Sequence, residues 1–202
     1  MKSVVVTGAS SGIGLASALR LANAGWRVYG GARTEEAAAA LRERGFEPLL
    51  LDVTDAGQIA AAATAVGSEL HGIVDNAGIA IAAPLELVPL EELRRQLEVN
   101  VVGQVAVLQA FLPALRAGRG RVVLMGSVGG RSALPFLGPY AASKHALEAF
   151  ADVLRIELAP WGMTVSIVEP ARSPATSSST RSASMPGPRF SATSRNFAIL
   201  AA

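Results

Sequence analysis

The chain has 202 residues, half of them hydrophobic, with two histidines and no cysteine. That length suits one domain with a full core. The missing cysteines exclude disulfides, thiol catalysis and thiolate-held metals, and no carboxylate cluster accompanies His71 or His145, so no metal site is expected. The net charge of +2 is unevenly spread: residues 172–202 hold four Arg and no acid, while residues 1–171 hold 14 Lys and Arg against all 16 acids. The body therefore offers no basic face for nucleic acid, and four scattered Arg neutralise little phosphate.

In chain order, Ser3 to Val6 is a β-branched strand, and Ile13 to Ala24 repeats apolar residues at helical period. Arg27 to Gly31 reads as the second strand and Glu35 to Arg44 as the second helix. Glu47 to Leu51 is the third strand, after which Asp55 caps an Ala-rich helix running to Ser68. Gly72 to Asp75 is a short fourth strand; Leu90 to Arg116 is a long helix that Pro113 is expected to kink or end. Gly120 to Met125 is the fifth strand, Pro139 to Pro160 a helix, and Met163 to Val168 the sixth strand. Strands spaced by helices mean right-handed βαβ units, a parallel sheet and an α/β fold covered on both faces. No apolar run is expected to reach the eighteen or so residues that span a bilayer. The N-terminus enters a strand at once without a basic and apolar leader, so a cytoplasmic location is expected.

Two stretches carry chemistry. Thr7-Gly-Ala-Ser-Ser-Gly-Ile-Gly14 lies between the first strand and its helix, where free backbone N–H groups and the positive helix end can face a pyrophosphate. Gly8 permits the tight turn, Gly12 close approach of phosphates and Gly14 close helix–strand contact. Farther on, Tyr140 and Lys144 stand four residues apart on one helix face, with Ser127 thirteen residues upstream of the tyrosine. A cation held beside a phenol stabilises the phenolate, which allows proton exchange with an alcohol or carbonyl oxygen near neutral pH.

TGASSGIG at 7–14, Asn76-Ala77-Gly78, Asn100, Ser127 and Tyr140-x-x-x-Lys144 stand in the order and spacing of the short-chain dehydrogenases/reductases. Residues 1 to about 170 resemble that family, and the stretch 127–158 is most similar to its retinol- and hydroxysteroid-type members. The resemblance implies a doubly wound (Rossmann) parallel sheet of six strands in the order 3-2-1-4-5-6, with ligands at the strands' carboxyl ends. Gly8, Arg33, Asp52, Asn76, Ser127 and Pro170 all fall there.

It implies further that Tyr140 exchanges a proton with a substrate oxygen and that Ser127 hydrogen-bonds the same oxygen. Lys144 would lower the Tyr140 pKa and hold the nicotinamide ribose, and Asn100 would orient a water linking Lys144 to solvent. Ser10, Ser11 and Ile13 join the three glycines around the dinucleotide, Asp52 and Val53 contact adenine, and Asn76, Ala77 and Gly78 line the adenine ribose. The second strand ends in Tyr29-Gly-Gly-Ala32 with no carboxylate for a ribose 2′-hydroxyl, and Arg33 follows. A guanidinium suits a 2′-phosphate, so NADP is expected ahead of NAD. Leu134-Pro-Phe-Leu137 would form an apolar cleft wall for a lipophilic alcohol or ketone. The two long helices are the surfaces through which the family pairs into homodimers or homotetramers.

From Arg172 the periodicity stops, with eight Ser, three Pro and four Arg in residues 172–202. A catalytic domain over 1–171 and a disordered tail over 172–202 are expected. The family's substrate-covering segment and seventh strand are not legible, as after a reading-frame slip or a truncation. Pro170-Ala171 replaces the usual Pro-Gly. The alternative function is therefore an impaired dinucleotide-binding or dimerising remnant of such an enzyme.

Overall fold

The computed structural model describes residues 1–171, and the tail expected over 172–202 and the seventh strand lie outside the described residues. Six strands, β1 (Ser3–Val6), β2 (Arg27–Ala32), β3 (Glu47–Leu50), β4 (Gly72–Asp75), β5 (Arg121–Met125) and β6 (Thr164–Val168), form one sheet. Every pairing is parallel and the order is β3-β2-β1-β4-β5-β6, as the sequence led us to expect. The helices are α1 (Gly12–Asn23), α2 (Glu35–Glu43), α3 (Ala56–Val66), α4 (Leu90–Leu97), α5 (Gly103–Ala117) and α6 (Gly138–Leu158). Asp55 caps α3, its carboxylate accepting from the N–H groups of Gly57 and Gln58.

Helices cover both faces, so the central strands are apolar on both sides. Along β1 the side chains alternate: Val4 and Val6 join the core under α1 and α2, with Ala18, Leu21 and Leu41. Val5 joins the opposite core under α3, α5 and α6, with Ile59, Phe111, Leu115 and Leu158. All three valines are fully buried. The strand order reverses between β1 and β4, and a crevice opens there at the carboxyl ends.

One expectation is corrected. Pro113 does not end its helix; α5 runs through it to Ala117. Phe111, Ala114 and Leu115 around it are buried, and that packing keeps the chain helical where a lone proline would end it. The irregularity lies a dozen residues earlier, in a π turn over Glu98–Val102 that joins α4 to α5. The run Leu90–Ala117 is long and apolar enough to cross a membrane by length and composition. Here its apolar side chains Val107, Leu108, Phe111 and Leu115 are core of the sheet.

Candidate active site

The glycine turn is built by backbone that only glycine adopts readily. Gly8 has φ +62° and Gly12 φ +57°. Around Gly12 there is open space within 4 Å of a would-be Cβ, whereas at Gly14 a Cβ would lie 2.2 Å from the Gly8 carbonyl oxygen and 2.6 Å from Asn76 Nδ2. Gly14 thus serves contact within the turn itself, and Gly12 the open approach. Ser11 caps α1 without a side-chain hydrogen bond, so its side chain satisfies none of the first-turn N–H groups of the helix. An open glycine cradle at an uncapped helix N-terminus fits a dinucleotide pyrophosphate.

Thr7 binds this turn to β4. Its hydroxyl accepts from the N–H groups of Asn76 (2.8 Å) and Ala77 (2.9 Å) and donates to Asp75 Oδ1 (3.0 Å). Asn76 Nδ2 donates in return to the carbonyls of Thr7 (3.0 Å) and Gly8 (3.3 Å).

A cavity of about 990 Å³ runs along the crevice. It brings together Gly8, Ser10, Ser11 and Ile13 of the turn, Arg33 after β2, Asp52 and Val53 after β3, and Asn76, Ala77 and Gly78 after β4. Ser127, Tyr140, Lys144 and Pro170 line the same space, while Gly12, Gly14 and Asn100 do not. Arg33 and Asp52 face one another: burial works against the Asp52 carboxylate, but the Thr54 N–H and hydroxyl and the Arg33 charge hold it below the ordinary range.

At the far end, Ser127 Oγ accepts from the Gly129 N–H (3.0 Å), which leaves its own proton to donate. A Cβ on Gly129 would sit 3.2 Å from Tyr140 Cε1 and 3.4 Å from Ser127 Oγ, so only a glycine separates the two hydroxyl-bearing side chains. Lys144 Nζ lies 5.8 Å from the centre of the Tyr140 ring. It donates to the Met125 carbonyl at 2.6 Å. The turn bearing Ser127 is pinned from outside by Arg131, which pairs with Glu169 at 2.9 Å and Glu148 at 3.3 Å.

Asn100 is fully buried in the π turn. Its Oδ1 accepts from the Ile79 N–H (2.8 Å), and its Nδ2 donates to the Ile79 carbonyl (2.9 Å) and Ser143 Oγ (3.1 Å). Its side chain therefore holds the 77–81 segment of the cavity wall. Two glutamines do the same, and sequence reasoning missed them. Gln96 bonds the Ile81 N–H (2.7 Å) and the Ile79 carbonyl (2.8 Å), and Gln104 the Ala77 carbonyl (3.0 Å). Their spacing of four on either side of Asn100, in a run where Glu98 is the one other polar residue, is a signal the sequence does carry. Arg94 and Arg95 on α4 also line the cavity, and nothing local in the sequence marks them.

A family model described as short chain dehydrogenase matches residues 2–184. The chain is 43% identical over 180 residues to human 17-beta-hydroxysteroid dehydrogenase type 1, covering 82% of this chain and 55% of that protein. It is 40% identical over 183 residues to an NADPH-dependent 3-dehydrocapnine reductase of Ornithobacterium rhinotracheale, covering 84% and 65% respectively. The crystal structure of a short-chain dehydrogenase from Streptomyces avermitilis superposes with a TM-score of 0.79 at 38% identity, over 84% of this chain and 65% of that one. The chain thus spans between 55 and 65% of the length of these relatives.

Proposed function

The chain belongs to the short chain dehydrogenase family, and we propose that it is an NADP-preferring oxidoreductase that interconverts a carbonyl compound and an alcohol. One observation carries this reading: the glycine turn and the Ser127, Tyr140 and Lys144 side chains line a single cavity. The nicotinamide cofactor, when bound, supplies or takes up the hydride. The chain's own residues handle the substrate oxygen. Ser127 donates a hydrogen bond to it, and the Tyr140 hydroxyl gives it a proton in reduction or removes one in oxidation. The Lys144 ammonium, close to the Tyr140 ring, stabilises the phenolate that remains.

We take the loops at 83–87 and 134–137 as the substrate wall, although their apolar side chains do not line the cavity itself. Leu85, Leu134 and Phe136 are all at least 60% exposed on loops joined by the Ala83 N–H to Phe136 carbonyl bond (2.8 Å). That wall suits a lipophilic alcohol or ketone.

Arg33 at the adenosine end supports NADP, as does the NADPH dependence of the O. rhinotracheale relative. Charged hydrogen bonds contribute about 1.5–3 kcal/mol, so NADPH should bind roughly ten- to a hundredfold tighter than NADH. Titration by nicotinamide fluorescence checks this, with Arg33→Ala expected to erase the preference. Tighter NADH binding would reverse the cofactor assignment, and binding of neither would sink the enzyme reading.

The same reading extends to association. A groove between α5 and α6, lined by Leu108, Leu112, Phe150 and Leu154, leaves Val153 and Ile156 exposed beside it. We expect these helices to pair with a second copy. Sedimentation at micromolar concentration should show a species of at least twice 20.7 kDa, and a lone 20.7 kDa species would refute the dimer.

A further inference from the structure

Beneath the cavity lies an acid to which the mechanism above gives no role. Asp75 ends β4 and is fully buried. The Thr7 hydroxyl, already accepting two backbone N–H groups, has one proton, and it goes to Asp75 Oδ1. The other carboxyl oxygen, Oδ2, is buried with no hydrogen-bond partner. If Asp75 carries a proton, it therefore sits on Oδ2; if it does not, that oxygen bears an unpartnered charge.

Lys144 is the complementary case. It is 4% exposed, and the one hydrogen bond its ammonium makes to the described residues is to the Met125 carbonyl. Met125 follows Leu124, the register partner of Asp75 across the β4–β5 pairing. The carboxyl and the ammonium's acceptor thus end adjacent strands. Ile73 and Leu124 pack in the core that α6 covers, and strand alternation puts Asp75 on the same face as Ile73, toward the helix that carries Lys144. Among the described residues, Thr7 of the β1 end and Lys144 of α6 are the polar and charged groups acting on Asp75. Asp75 is the charge acting on Lys144, and Tyr140 is the titratable ring beside it.

We propose that Asp75 is the buried counter-group that sets the charge of Lys144, which makes it a positioning residue acting through Lys144. Its bearing on turnover rests on the function proposed above; the coupling of the two groups does not. Burial pushes the Asp75 carboxyl up to about 7 and the Lys144 ammonium down to about 8, and their mutual attraction opposes both shifts. Loss of the Asp75 charge therefore makes Lys144 easier to deprotonate.

The chain holds only two lysines, Lys2 and Lys144, so a ¹³Cε-lysine-labelled full chain gives two signals, which Lys2→Arg assigns. In Asp75→Asn the Lys144 midpoint should fall by at least about half a pH unit, since a neighbouring opposite charge is worth roughly one unit or more. An unmoved midpoint in a folded variant overturns the proposal. Should Asp75→Asn not fold, the unmodified chain decides. A curve broader than a single proton's shows coupled groups, and a single-proton curve overturns the coupling. In the pH profile of kcat/KM, the limb that follows Lys144 should move acid-ward by the same amount, with NADPH affinity at pH 6 unchanged. If the profile stays put while the NMR midpoint moves, the link to turnover is overturned. A chain without turnover but with the shifted midpoint refutes the enzyme reading and leaves the coupling standing.

Discussion

Replacing Tyr140 with phenylalanine is expected to cut turnover by about a thousandfold while NADPH affinity changes less than about threefold. The ring stays, with its contact to Lys144 and its edge beside Gly129, and only the hydroxyl that exchanges a proton is lost. Ser127 can still hydrogen-bond the substrate oxygen through the proton that the Gly129 N–H leaves free, but an aliphatic hydroxyl is too weak an acid to transfer that proton in place of the phenol. Ser127→Ala removes one oxyanion-type donor and should cost roughly a hundredfold, less than the tyrosine. Steady-state rates with a simple ketone, alongside fluorescence titration of NADPH, measure both effects. A phenylalanine variant that keeps ordinary rates would remove Tyr140 from the mechanism altogether.

Gly14→Ala should be as damaging to binding as Tyr140→Phe is to chemistry. The new methyl would meet the Gly8 carbonyl oxygen at 2.2 Å and Asn76 Nδ2 at 2.6 Å, and the nearer atom is backbone. The turn must open, and the hydrogen bonds from Asn76 to Thr7 and Gly8 open with it. We expect a destabilisation of about 3 kcal/mol or more and at least a tenfold loss of NADPH affinity. Gly12→Ala is the contrast. Its Cβ meets open space, so its cost is the left-handed backbone alone, about 1–2 kcal/mol. Thermal melts of both variants with and without NADPH separate the two effects. Equal losses at the two glycines would mean that the close approach at Gly14 is not what the turn needs.

The sheet was legible because its strands are short β-branched blocks set between helical periods; a parallel sheet follows from that alternation, and the strand order from the family resemblance. The cavity's outline was legible for a related reason. Residues at strand carboxyl ends converge whatever their separation in sequence, so Arg33, Asp52, Asn76 and Ser127 could be placed without seeing a contact.

What stayed hidden depends on partners far along the chain. Asp75 looks like the last residue of an apolar strand; burial raises its carboxyl, and the groups that oppose that shift, Thr7 and Lys144, are each about 70 residues away. The π turn at Glu98–Val102 shifts the helix by one residue per turn only locally, too briefly to disturb the apolar repeat. Pro113 does not end its helix because the rule for proline describes an isolated helix, and this one is packed by buried residues on either side.

The row of Gln96, Asn100 and Gln104 has a consequence for how such a cleft can change. Between Ala77 and Ile81 the wall is secured not by a neighbouring strand but by three amide side chains standing in for one. A strand's ladder is common to every sequence that folds this way, so altering it endangers the sheet. A ladder made of side chains is written one codon at a time. Exchanging a single amide frees about two residues of the wall, at about 1–3 kcal/mol for each buried group left unpaired, while β1 and β4 keep their register. The cleft can thus explore new shapes as a matter of point substitution, insulated from the core that keeps the chain folded.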